Sequence, residues 1–189
     1  TRQREAELRR DLREMRTEAR ELARQQEDIA RKMEAEATND RKSLSDSPVQ
    51  KEVLDQLARQ KERLTNLVER ATQVSQQAEG AEPLLSRQLY DTVRKQSQDI
   101  AKKVKETQEE LLARGLMTRG VYERLQGTAE PDGAKLLEVT AEMLRQHLLP
   151  QANTTGQRAR AVIDDLKRGV ERAAESVLGD DTEALRLAR

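Results

Sequence analysis

The chain has 189 residues, in which 35 Lys+Arg balance 35 Asp+Glu, with one His, two Tyr and no Cys, Phe or Trp. Zero Cys excludes disulfides, thiolate zinc sites and cysteine nucleophiles, and a single His excludes a His-pair metal site and argues against a Ser-His triad. With only Tyr90 and Tyr122 as aromatics, both a thick globular core and a β fold are disfavoured, because cores and strands draw on such side chains.

Ala, Glu, Lys, Leu and Arg make up 104 of the 189 residues, a composition that marks coiled coils and long helices when a period near 3.5 accompanies it. The first element is expected to run to about Ala37. Its apolar positions are Leu8, Leu12, Met15, Ala19, Leu22, Ile29 and Met33, with Gln26 filling the gap. They advance in steps of four and three, the heptad pattern of a helix seam. A glutamine in such a seam either fixes register or lies at its wet edge. Glu5/Arg9, Glu27/Arg31 and Asp28/Lys32 stand in the favourable i, i+4 order.

Residues 38–47 read as a polar loop. Ser47 can cap the next helix, Pro48 suits its first position and Gln50 can close a capping box. The second seam is Val53, Leu57, Leu64, Leu67, Ala71, Val74 and Ala78, with Gln60 in the gap. A short loop between two such helices favours an antiparallel pair. Gly80 is expected to cap this helix and Pro83 to open a third, running to about Arg114 with Leu85, Leu89, Val93, Ile100, Val104, Leu111 and Leu112 inward.

Gly115-Leu116 reads as a Schellman ending, with Gly115 left-handed and Leu116 tucked back. A short helix capped by Thr118 follows, then a turn-rich break from Gly127 to Gly133. Asp132 is expected to cap a helix carrying Leu136, Leu137, Thr140, Met143 and Leu144, which Leu149-Pro150 breaks. The last long helix is expected over 157–178. Its stripe of Ala159, Val162, Ile163, Leu166, Val170, Ala173 and Val177 is wide enough to face two neighbours. Gly179 should end it, and Asp180 with Glu183 should cap a further helix.

Few residues suggest chemistry. His147 stands alone beside the Pro150 break and reads as a structural or surface residue. Asp164-Asp165 and Asp180-Asp181 lack the ligand spacing of a calcium loop. Lys102, Lys103 and Lys105 form a small basic cluster without a stacking aromatic, which argues against nucleic-acid binding. Asn153-Thr154-Thr155 matches a glycosylation sequon, a pattern common by chance. No phosphate-binding loop, GxSxG or HExxH occurs. No catalytic, cofactor-binding or metal-binding residue is expected. No run of about 18 apolar residues offers a transmembrane span. No signal peptide is read, and both ends look cut from continuing helices.

The C-terminal half carries a resemblance. Glu82-Pro83-Leu84-Leu85-Ser86 through Leu89-Tyr90-Asp91-Thr92, Glu110-Leu111-Leu112-Ala113-Arg114-Gly115, and Gly169 to Asp180 continuing into Glu183-Ala184-Leu185-Arg186-Leu187-Ala188 resemble blocks of large bacterial envelope proteins. Those proteins form a family of unknown function, with N-terminal transmembrane helices and a long Ala/Glu/Arg/Gln-rich helical region. The resemblance covers residues 82–189 and rests on helix-ending and capping motifs. It implies a membrane-anchored parent, a helical region projecting outside the cytoplasm, and no catalytic residues.

The expected architecture is all-α: a long antiparallel helical hairpin (1–80) of coiled-coil type, followed by a helical bundle (81–189). The expected role is a non-enzymatic spacer and protein–protein scaffold of the bacterial envelope. A protein partner or a second copy would dock along helix seams. Leu8, Leu12, Met15, Leu22, Ile29, Leu57, Leu64 and Leu67 are the expected helix–helix or partner contacts. The alternative is an amphipathic bundle on a lipid surface, which such narrow, Ala- and Gln-diluted seams suit less well.

Overall fold

The computed structural model describes the backbone of residues 2–38, 48–127 and 130–187, and side chains as far as 179. Six helices occupy the described residues: α1 Arg2–Thr38, α2 Pro48–Ala78, α3 Pro83–Ala113, α4 Arg119–Gln126, α5 Asp132–Arg145 and α6 Leu149–Leu187. The chain is all-helical there, as its composition requires. At about 1.5 Å per residue, α1 and α6 each exceed 50 Å in length.

The side-chain bonds between helices fix their directions. Arg70 of α2 meets Glu18 of α1 at 2.9 Å, and Lys32 of α1 meets Glu52 of α2 at 2.8 Å, so α1 and α2 are antiparallel. Ser75 and Ser86 exchange hydroxyl-to-carbonyl bonds of 2.9 and 2.6 Å across the α2–α3 turn. Arg20 reaches Glu171 at 2.9 Å, which sets α1 against an antiparallel α6. Thr140 donates to Thr155 at 3.0 Å between α5 and α6, and Gln50 of α2 donates to the Leu144 carbonyl at the end of α5. Thus α1, α3 and α5 run one way, and α2 and α6 the other.

This direction rule gives a bundle with two different halves. Helices α1, α2 and α6 run through both. In the upper half the fourth position belongs to the first part of α3, where Leu85 and Leu89 are buried. In the lower half it belongs to α5, which packs on α2, α6 and α3. Gly133, near the start of α5, lies so close to Leu64 and Val162 that a Cβ there would stand 2.9 and 3.1 Å from them. The second part of α3 leaves α2 at this level and runs outside α5, with α4 folded back on it through a Gln126–Gln108 bond of 3.1 Å. A single apolar cluster of Leu, Ala, Val, Ile and Met joins all six helices. The largest interface of α1 is with α6, so α1 and α2 do not stand as a separate pair.

The helix boundaries follow from local chemistry. Pro48 starts α2 and Pro83 sits in the first turn of α3, positions where the missing N–H costs nothing. Gly115 takes φ 70, and the Leu116 and Gly115 amides donate to the Leu111 and Leu112 carbonyls, completing the expected Schellman ending. The Thr118 hydroxyl accepts from the Val121 amide at 3.2 Å and caps α4.

Four expectations fail. First, α6 is continuous from Leu149 to Leu187, so Pro150 lies in its first turn and does not break it, and Gly156 and Gly179 lie within it. The stop falls earlier, at His147 with φ 60, whose amide and that of Leu148 donate to the Leu144 and Met143 carbonyls. Second, Asp132 is the first residue of α5 and makes no cap; Pro131 precedes the helix without a side-chain cap bond. Third, Gly133 belongs to α5 and not to the break before it. Fourth, Gly80 follows the end of α2 at Ala78 without a left-handed φ. Residues 39–47, including the Ser47 cap, and the side chains of Asp180 and Glu183 lie outside the described residues.

Candidate functional site

The eight seam residues come together inside the chain. Leu12, Met15, Leu22 and Ile29 of α1 and Leu57, Leu64 and Leu67 of α2 are each at most 1% exposed, and Leu8 packs half-buried at the upper edge. Burial of each such side chain stabilises the fold by about 1.5–3 kcal/mol. These residues are therefore internal helix–helix contacts. Among the described residues, Leu84 and Tyr90 are the exposed large hydrophobics, at 62% and 59%. Six positions apart on α3, they fall on different faces of it.

Between the apolar positions lies a polar layer. Gln26 and Gln60, the gap residues of the two seams, are both 1% exposed, so neither lies at a wet edge. Gln60 Nε2 donates to the Leu22 carbonyl at 2.8 Å and to Gln26 Oε1 at 3.2 Å. Gln96 of α3, 9% exposed, donates to the Val162 carbonyl of α6 at 3.1 Å. The three amides lie near one height, the level at which α5 enters. Lower down, the Thr140 hydroxyl donates to Thr155, whose own hydroxyl donates to the Gln151 carbonyl, and Arg158 Nη1 donates to Thr107 at 2.6 Å.

Charged groups close the outside of the seams. Arg70 gathers Asp11, Glu14 and Glu18 from three positions of α1. The hydrogen bond from Arg70, then its charge, holds the Glu14 carboxyl below the usual range. A second network joins Lys61 of α2 to Glu130 and Glu138, and Arg124 and Arg145 to Glu138 and Glu142. Burial pushes Glu138 up, yet the charges and hydrogen bonds of Lys61 and Arg145 outweigh it and leave the carboxyl below its ordinary value. On α1, Glu27/Arg31 and Asp28/Lys32 form the expected pairs at 2.7 and 3.0 Å.

A cleft of about 350 Å³ lies between α3 and α6. Gln88, Asp91 and Lys95 line one wall, and Asp165, Arg168 and Arg172 the other. At its floor Gly169 meets Thr92, where a Cβ on Gly169 would lie 2.4 Å from Thr92 Cγ2. The walls carry both signs of charge, and Arg168 is held by Asp165 at 3.3 Å. Among the described residues, no histidine or hydroxyl–base pair lines it. His147 is exposed at the α5–α6 corner, and Lys102, Lys103 and Lys105 are exposed on α3. Asp164 is half-buried on α6 beside the exposed Asp165. In the sequon, Thr155 is buried and bonded within the core. Among the described residues no group of three His, Asp or Glu could hold a metal ion, and no helix is long and apolar enough to cross a membrane.

The sequence shows the seams, Gln26/Gln60, and Gln96 as a polar residue diluting the apolar side of α3, but not the Gln96–Val162 bond, the Thr140–Thr155 pair or the Gly169–Thr92 approach. For that first bond a signal existed, since Gln96 interrupts the apolar side of α3 as Gln26 and Gln60 interrupt theirs. Comparison with protein-family models, with curated proteins and with solved structures finds no significant match.

Proposed function

We propose that this chain is a non-enzymatic spacer and scaffold, a helical rod displayed by a membrane-anchored bacterial envelope protein. One observation carries the reading: Leu12, Met15, Leu22, Ile29, Leu57, Leu64 and Leu67 are buried in the chain's own core, and Leu8 packs half-buried against it. A segment waiting for a partner helix would keep part of a seam open to solvent. This one completes its own bundle and presents an outer surface of interleaved charges, which suits a load-bearing spacer. Partners of such a rod meet its polar outer faces, not its seams.

The envelope assignment rests on the resemblance of residues 82–189 to the helical regions of those proteins. The non-enzymatic assignment rests on the chemistry of the cleft walls, which offer ion pairs and amides but no poised nucleophile. Light scattering combined with small-angle X-ray scattering tests the spacer. The expected result is a monomer with the profile of a rod longer than 50 Å. A concentration-dependent dimer would overturn the closed-seam reading. Flotation with neutral and anionic vesicles tests the lipid alternative, and co-flotation would favour it over the spacer. Fractionation of native cells should place the parent protein in the envelope, and its recovery in the cytosol would remove that part of the proposal.

A further inference from the structure

We infer that the glutamine layer is a register lock, a device that holds α1 against α2 in one axial alignment at the expense of stability. This inference concerns the fold and stands whether or not the spacer reading holds. The seams alone leave alignment open. The apolar positions of α1 repeat every seven residues through Leu12, Ala19 and Met33, with Gln26 in the same series. Those of α2 repeat through Val53, Leu67 and Val74, with Gln60 in theirs. A slip of one heptad, roughly 10 Å, would again set apolar layers against apolar layers at most levels.

The amides break this degeneracy. In the observed register Gln60 reaches Gln26 Oε1 and the Leu22 carbonyl. Slipped by a heptad in either direction, Gln26 would face Leu67 or Val53, and Gln60 would face Met33 or Ala19. Each would be a buried amide without its partner, which is costly in an apolar layer. The lock is imperfectly satisfied even in register, because Gln60 Oε1 is buried without a protein hydrogen-bond partner among the described residues. The Leu22 carbonyl forces that orientation, since only the amide nitrogen can face it. An interaction that leaves an acceptor unpaired is poorly suited to adding stability. It discriminates between alignments all the same, because every slipped alignment is worse.

The absence of native Cys allows a direct test. Thr17 and Lys51 are exposed on α1 and α2 at different heights, so spin labels at Thr17→Cys and Lys51→Cys read the axial alignment. In the natural background one distance is expected. In a Gln26→Leu plus Gln60→Leu background the melting temperature should rise by a few degrees, because a leucine pair removes the unpaired acceptor. A second distance should then appear, displaced by roughly 10 Å from the first. A single unchanged distance in the leucine variant would overturn the lock. So would a lower melting temperature or a loss of helicity, since the layer would then be a net source of stability.

Discussion

The two halves of the bundle share three helices and differ in the fourth. In the upper half α3 fills the place from one side of its length, with Leu85 and Leu89 inward and Thr92 pressed on Gly169. In the lower half α5 fills it with a much wider face. Gly133, Ala134, Leu136, Leu137, Val139, Thr140, Ala141, Met143 and Leu144 are all buried among its 14 residues. A helix whose apolar residues form a narrow stripe contacts its neighbours along one seam, whereas a helix apolar most of the way round must be enclosed. α5 is enclosed because α3 passes outside it. The upper half is thus an ordinary four-helix arrangement, and the lower half is one with an additional outer layer.

The largest effect should come from breaking what both halves share. Leu22→Asp with Leu64→Asp places two carboxylates in positions that are 1% exposed, each costing several kcal/mol unless it is neutralised. That approaches or exceeds the whole stability of a domain of this size. Circular dichroism should show the cooperative melt lost, and a variant that melts like the parent would contradict the packing described.

A second variant separates the halves. Gly169→Ala drives a Cβ to within 2.4 Å of Thr92, whose branched side chain has little freedom to swing aside. Overpacking of this kind costs about 1–3 kcal/mol, against the helix preference of Ala for the same position. Gly133→Ala meets the tip of Leu64 at 2.9 Å, a flexible end that can move, so its loss should be smaller. Denaturant midpoints rank the two, and the reverse order would show that the upper contact is the looser one.

Next comes acid. Glu138 is half-buried among cations, and its folded pKa lies below its ordinary value of 4.5. Its contribution is therefore complete above that ordinary value and disappears as the pH falls through the lowered one. Melting curves between about pH 6 and pH 3 should show Glu138→Gln less stable than the parent at the upper limit, with the gap closing toward the lower. A gap that widens in acid would reverse the sign of this pairing.

The smallest effect should come from the exposed network. Arg70→Met removes the cation facing Asp11, Glu14 and Glu18, and such surface pairs change the melting temperature by only about 2–4 °C. Added salt should shrink the difference.

Much of the fold was legible because periodicity and helix ends are local signals. The seams of α1 and α2, the α3 boundary, the left-handed Gly115 and the Thr118 cap all follow from residues within one or two turns. The α5–α6 corner was not legible. Its left-handed residue is His147, where glycine or asparagine is the usual marker, so the stop was assigned to the nearby Pro150. The continuity of α6 through Gly156 was hidden for a different reason. There the helix packs beside Met33 of α1 and Thr140 of α5, and such contacts hold a weak helix former in place. The wide stripe of α6 reads as facing two neighbours, and the helix packs on three, α1, α3 and α5. The exchange of α3 for α5 as fourth helix depends on how the chain returns through residues 114–131, and no periodic pattern encodes that path.

The α5–α6 corner also sets what Pro150 is for. Three residues separate the end of α5 at Arg145 from the start of α6 at Leu149. If His147 returned to right-handed backbone, the two helices would be in position to merge into one straight rod of 56 residues, roughly 84 Å long. Such a rod would carry α5 away from its own bundle and offer it to another molecule. Pro150 stands against that shape: in a merged helix its ring would collide with the Gln146 carbonyl and one hydrogen bond would vanish, at about 3 kcal/mol. In the bent form the same ring sits in a first turn and costs nothing. Pro150, which reads as an interruption of α6, thus disfavours the merged helix and adds to the burial of α5 in keeping the chain folded on itself.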